Sequence, residues 1–250
     1  MFKYFYKNQI KEKYLGNLTG FSWVFIQPLI TLLIYWFVFD KIFQSRISED
    51  INASFITYLA LGFWPWLAFS ESILSSINTI KEKSDLIGKI KLDFKTVVVA
   101  KVSAVFSLHL IGYLLVLVIL LLLNDLSLWK IPILVLPLIQ LYLFAIALSL
   151  ILSSLQVFIN DILQVITVVM TMWFFMTPIV YSEYFIPSEY RSALMINPIY
   201  TIITFVHKSI LTNEALPWMM MLVVSVFIVI LLLLAIKMFN KLSDKFEEVI

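Results

Sequence analysis

VVVAKVSAVFSLHLIGYLLVLVILLLL, residues 97–123, is an almost unbroken run of aliphatic and aromatic side chains in which Lys101 and His109 are the only basic interruptions. A helix rises about 1.5 Å per residue, so about 20 apolar residues cross the hydrocarbon core of a bilayer. Working outward, comparable stretches lie at 21–43, 53–80, 131–158, 162–178 and 216–238. The whole chain of 250 residues is 62% hydrophobic, with a mean hydropathy of +0.98. Soluble domains are only about half apolar, so lipid must solvate most of this surface. The fold class that follows is an all-α integral membrane protein with six transmembrane helices. Residues 1–250 then form a single transmembrane domain, with no room for a soluble domain of ordinary size.

Before the first span, Phe2, Tyr6, Ile10 and Tyr14 recur every fourth position, with Lys3, Lys7, Lys11 and Lys13 between them. That pattern predicts a basic helix over 1–14 lying in the membrane interface. The apolar run behind it is long, aromatic and interrupted by Pro28, with no small-residue cleavage site, and reads as a retained span. With the N-terminus in the cytoplasm, the inner loops carry four, six and three basic residues. The outer side carries only Lys41, Arg46, Lys130, Arg191 and Lys208. This asymmetry follows the positive-inside rule and places both termini in the cytoplasm.

Between the fifth and sixth spans, residues 192–206 are too few for a seventh crossing. They read, within 179–206, as two short re-entrant helices in the outer leaflet, broken at Pro187 and Pro198. In the second span, Glu71, Ser75, Asn78 and Glu82 fall at three- and four-residue spacing, a polar stripe along one helix face. Such a stripe lines a water-filled cavity or continues beyond the bilayer as a solvated helix, and the sequence leaves both open.

Much chemistry is missing. Cysteine is absent, and His109 and His207 have no carboxylate or thiol at ligand spacing, so no metal site and no cofactor is expected. The Gly88–Lys89 pair is followed by Ile90 where a phosphate-cradling loop needs Ser or Thr, and Lys83 stands where its first glycine belongs. A net charge of +2, spread by membrane side, excludes a nucleic-acid patch. No catalytic constellation is present, so an enzyme is not expected, and energy, if used, must enter from a partner. A passive channel or structural membrane scaffold is the alternative to a transporter. Most aromatics, including Trp23, Trp129, Trp173, Tyr184 and Trp218, suit interfacial belts. Tyr35, Trp36, Phe37, Trp64 and Trp66 cluster near the outer ends of the first two spans, where flat faces could meet sugar rings.

KYLGNLTGFSWVFIQPLITLLIYWFVF (13–39) resembles the entrance to the first span of the permease subunits of type-2 ABC exporters, in particular those that move O-antigen, capsule and teichoic acid. YLALGFWPWLAF (58–69) with INTIKEKSDLIGKIK (77–91) looks like their second span and coupling loop. TPIVY (177–181) and INPIY (196–200) look like their outer gate segment. The resemblance implies a homodimer in a bacterial inner (plasma) membrane, in contact with membrane lipid. Each subunit would dock on a separate nucleotide-binding ATPase and export a lipid-linked polysaccharide. It also implies roles. The loop 81–95, with Lys83, Ser84, Asp85, Leu86 and Ile87, would couple to the ATPase, and Tyr14 and Trp23 would stand at the cytoplasmic entrance. The segment 179–206 would be the outer gate.

Overall fold

A computed structural model describes residues 1–14, 20–44, 53–83, 93–187, 189–190 and 194–246. Among them there is no strand. The helices are α1 (Phe2–Tyr14), α2 (Gly20–Trp36, prolonged by a π-helical turn Phe37–Ile42), α3 (Phe55–Ser76), α4 (Thr79–Glu82), α5 (Phe94–Leu122), α6 (Val135–Phe158), α7 (Ile162–Phe175), α8 (Pro198–Leu211) and α9 (Trp218–Ser243). A 3-10 turn, Leu128–Leu134, leads into α6. Among the described residues, four helical stretches are long and apolar enough to cross a membrane: Ser22–Ile42, Phe94–Leu122, Leu128–Phe158 and Trp218–Ser243. The decisive run 97–123 is the body of α5, whose 29 residues extend about 44 Å. The expected spans 53–80 and 162–178 correspond to α3 and α7. The first is diluted by Ser70, Glu71, Ser72, Ser75 and Ser76, and the second is only 14 residues long.

Helix α3 is the hub. Its buried residues run nearly its whole length, from Phe55 to Ser76, and it packs along α5 and α6. Ser54 caps it by accepting from Thr57 N at 3.3 Å. The close approach of α3 and α5 depends on Gly112. A Cβ there would stand 2.7 Å from Cζ2 of Trp64, whose Nε1 donates to the His109 carbonyl at 3.0 Å. Small residues at membrane-helix crossings serve this purpose.

Side-chain bonds gather the loops at two ends. At one end, Lys81 Nζ donates to Asn160 Oδ1, and Gln156 Nε2 donates to Asn78 Oδ1 at 2.9 Å and to the Asn160 carbonyl at 3.0 Å. Phe246, near the C-terminus, packs on Phe94, Phe158 and Phe239 at the same end. At the other end, Asp125 accepts from Ser54 and Thr57. There Lys130 Nζ donates to the carbonyls of Ile210 (3.1 Å) and Thr212 (3.0 Å), capping the C-terminus of α8 with a cation.

Three expectations change in detail. Among the described side chains of α1 the buried residues are Phe5 and Gln9 rather than Phe2, which stays exposed, while Tyr6 and Ile10 are half-buried. Phe5 packs on Val97 and Ala100, and Gln9 Oε1 accepts from Lys101 Nζ at 2.6 Å, so the protein-facing side is set by what α5 offers. Pro198 starts a helix instead of breaking one: it occupies the first turn of α8, where its missing N–H is harmless, and Asn197 caps that turn. Finally, α8 continues through His207 and Lys208 to Leu211. In the segment before it, the described residues include a 3-10 turn, Glu183–Phe185, and helical backbone at Glu189, Tyr190 and Leu194.

Candidate functional site

Helices α2, α3 and α7 enclose a groove of about 210 Å³. Its floor is Phe63, Trp66, Ser70, Met170 and Phe174, all buried. Half-buried Thr31 and Tyr35 and exposed Thr167, Thr171 and Phe175 stand at its rim. The rings interlock: Tyr35 stacks on Phe174 at 5.4 Å and meets Phe63 edge-on at 5.6 Å, and Trp66 lies 5.8 Å from Phe174 and 6.3 Å from Trp173. Such pairs fix ring orientation beyond simple burial.

The threonines are arranged by their helices. Thr31 Oγ1 donates to Gln27 O (3.0 Å), Thr167 Oγ1 to Leu163 O (2.7 Å) and Thr171 Oγ1 to Thr167 O (3.0 Å), each one turn back. Each hydroxyl therefore spends its proton on its own helix and turns acceptor lone pairs outward. The groove combines aromatic walls with hydroxyl acceptors, the chemistry that suits a molecule with apolar ring faces and many O–H donors. The helices flanking it are poorly covered. In α2 only Pro28 and Leu32 are buried among the described side chains, and α7 leaves Val165, Val168 and Met172 exposed.

The structure divides the five expected aromatics. Tyr35 and Trp66 share the groove, although Trp66, 4% exposed, lies in its floor. Trp64, 1% exposed, points the opposite way into α5 and is a packing residue, because two positions along a helix differ by about 200°. Trp36 is half-buried beneath Lys41, whose Nζ sits 5.2 Å from the ring centroid and pairs with Asp40 at 2.7 Å. Phe37, 54% exposed on the π-helical turn, is not part of the groove lining.

The polar stripe also divides. Glu71 Oε2 is 3.0 Å from His109 Nε2, joining α3 to α5 within the apolar bundle, with Glu71 37% exposed and His109 2%. Asn78 turns to Gln156, and Ser75 Oγ donates to its own helix at Ser72 O, 3.3 Å away. Spacing could not reveal the Glu71–His109 pair, since its members lie 38 positions apart on different helices. Lys83 closes the short helix α4 as its C-terminal cap. Ser84, Asp85, Leu86 and Ile87 lie outside the described residues, as does the side chain of Tyr14. Trp23 is exposed near the start of α2.

Sequence reasoning missed the second cluster, at the end carrying α8. Tyr58 Oη is shared between the carbonyls of Pro178 (3.1 Å) and Tyr181 (2.9 Å), and His207 Nε2 donates to Tyr58 O at 3.0 Å while its ring stacks on Tyr58. Glu183 accepts from Tyr200, Thr204 and Lys208 at 3.0–3.2 Å. Burial by itself would lower Lys208, but Glu183 and Glu214 beside it outweigh that and hold the ammonium above the usual lysine range. These bonds fasten 178–183 to α3 and α8.

Comparison with known proteins agrees with this architecture. The family model described as ABC-2 type transporter matches residues 1–211. The chain is similar to the O-antigen export system permease protein RfbA of Myxococcus xanthus, at 27% identity over 97% of this chain and 92% of that protein. It is also similar to the protein of that name from Klebsiella pneumoniae, at 23% identity over 96% of this chain and 91% of that protein. Matched over most of its length, the chain belongs to the ABC-2 type transporter family.

Proposed function

We propose that this chain is the membrane subunit of an ATP-driven exporter that moves a lipid-linked polysaccharide across the inner membrane. The groove between α2, α3 and α7 would form part of the pathway. The observation that carries the reading is that groove: stacked aromatic rings beside threonine acceptors, bordered by helices with little cover of their own. Sugar rings present apolar faces and outward hydroxyls. Weak, repeated contacts of this kind let a polymer slide between near-equivalent positions.

In this reading the chain crosses the membrane six times, through α2, α3, α5, α6, α7 and α9, with both termini cytoplasmic. Helix α7, shorter than the hydrocarbon core, is completed by residues 176–178. The segment 179–206 dips into the outer leaflet as the gate, held by the Tyr58 and Glu183 bonds. Two copies would assemble with their sparsely covered α2 and α7 facing one another, each docked through 81–95 on a separate nucleotide-binding subunit that hydrolyses ATP. ATP-driven closure of those subunits would shift the population between gate-closed and gate-open states through contacts that differ between the two. The Asn78–Gln156–Asn160–Lys81 network supports this, because it ties the start of the coupling loop to the turn between α6 and α7.

Tyr35 stands at the rim and joins the stacked rings of the floor, so it provides the test. Tyr35→Ala and Tyr35→Phe complexes, purified with the ATPase, are compared for polysaccharide export per complex. Base stacking on aromatics, a looser analogue, contributes about 1–3 kcal/mol per ring, so Tyr35→Ala should export severalfold less while Tyr35→Phe keeps most activity. Equal export by all three forms refutes the role of the groove.

A further inference from the structure

Helix α1 is divided lengthwise into four faces, and its basic face has no protein to meet. Phe5 and Gln9 face α5 and are buried. Lys3, Lys7 and Lys11, spaced four apart, form a stripe on the opposite side; all three are exposed and make no ion pair among the described residues. Between these faces, on one flank, lie Phe2, Tyr6 and Ile10, with Phe2 exposed and its ring stacked on Tyr6 at 6.0 Å. The other flank carries Tyr4 and Asn8.

We infer that the Lys3–Lys7–Lys11 stripe is a docking surface for the anionic headgroups of phospholipids in the cytoplasmic leaflet; this deepens the membrane-subunit reading and rests on it. Three observations favour lipid over an acidic protein. The stripe adjoins an apolar flank, the arrangement of a helix that seats side chains in the acyl boundary while its cations reach headgroups. The contact of Phe5 with Val97 and Ala100, and of Gln9 with Lys101, holds α1 against the first turns of α5, where that helix begins its apolar run. Three like charges on consecutive turns repel one another along the helix and gain from counter-charges placed alongside. Orientation alone needs lysines on the inner side but not on one face.

The test uses the full-length chain in nanodiscs containing phosphatidylcholine with spin-labelled phosphatidylglycerol or spin-labelled phosphatidylcholine as probe. Electron spin resonance gives the fraction of each probe immobilised at the protein. Attraction to anionic surfaces is worth roughly fivefold per lysine at most. The unmodified chain should therefore hold phosphatidylglycerol severalfold more strongly than phosphatidylcholine, and 1 M salt should weaken that preference by screening. The K3Q/K7Q/K11Q variant should lose most of the preference, while K3R/K7R/K11R retains it. Circular dichroism and elution volume establish that each variant is folded. A preference that survives K3Q/K7Q/K11Q, or that is absent from the unmodified chain, overturns the inference. Because the readout is lipid association and not transport, it fails or succeeds independently of the exporter assignment.

Discussion

Substituting Gly112 by Ala should wedge α3 away from α5. The added Cβ would stand 2.7 Å from Trp64 Cζ2 and 2.8 Å from Nε1, well inside contact distance. Trp64 has little freedom to retreat, being 1% exposed and bonded through Nε1 to the His109 carbonyl at 3.0 Å. Overpacking of this kind costs about 1–3 kcal/mol, and a displaced interhelical hydrogen bond in a membrane protein adds about 0.6 kcal/mol. Replacing glycine within a helix returns up to about 1 kcal/mol, so the net loss should be about 1–3 kcal/mol. The reversible unfolding of the purified protein in mixed micelles, followed by near-UV circular dichroism, measures it. Trp64→Phe removes the clashing part of the indole, so Gly112→Ala should cost little in that background. Equal stability of Gly112→Ala and the unmodified chain, or the same cost with and without Trp64, refutes the reasoning.

Glu71→Leu should destabilise the bundle by about 1–3 kcal/mol, because it deprives His109 Nε2 of its partner when Nδ1 already has none; Glu71→Gln, which keeps an acceptor, should cost less, and unfolding in micelles distinguishes them. Lys130→Met removes the donor to the Ile210 and Thr212 carbonyls and should loosen α8, seen as faster hydrogen exchange at 208–212 with little change in α5. Substituting both Asp85 and Leu86 should reduce copurification of the ATPase or its stimulation without altering the circular dichroism of the membrane chain. Single cysteines at Ser48 and Glu247 should differ toward an impermeant thiol reagent in intact cells, the first labelled and the second shielded; labelling at Glu247 contradicts six crossings.

Composition made the helical membrane class legible, since no other solvent than lipid suits runs such as 97–123. The basic-residue asymmetry speaks only for loops that carry lysine or arginine; the turn at 159–161 carries neither, and its bond from Lys81 to Asn160 could not be read from charge. What stayed hidden was pairing across the sequence. The Glu71–His109 bond joins helices whose relative rotation no periodicity reveals, and the protein-facing side of α1 is chosen by Val97, Ala100 and Lys101. Grouping Trp64 with Trp66 failed for a reason the sequence does contain: neighbours two apart on a helix face opposite ways. Thr167 and Thr171 were overlooked because threonines one turn apart in an apolar helix carry no distinctive signal until a groove places them beside Tyr35.

The exporter assignment is tested most directly by proteoliposomes holding the chain and its ATPase partner with the nucleotide sites outward. Lipid-linked polysaccharide is supplied in the outer leaflet, and its loss from the reach of an added glycosidase is followed over time. The expected result is protection that requires ATP, requires both subunits and falls severalfold with Tyr35→Ala. Protection that proceeds without ATP would mark a passive channel, and none at all from an assembled, ATP-hydrolysing complex would contradict export of this substrate class.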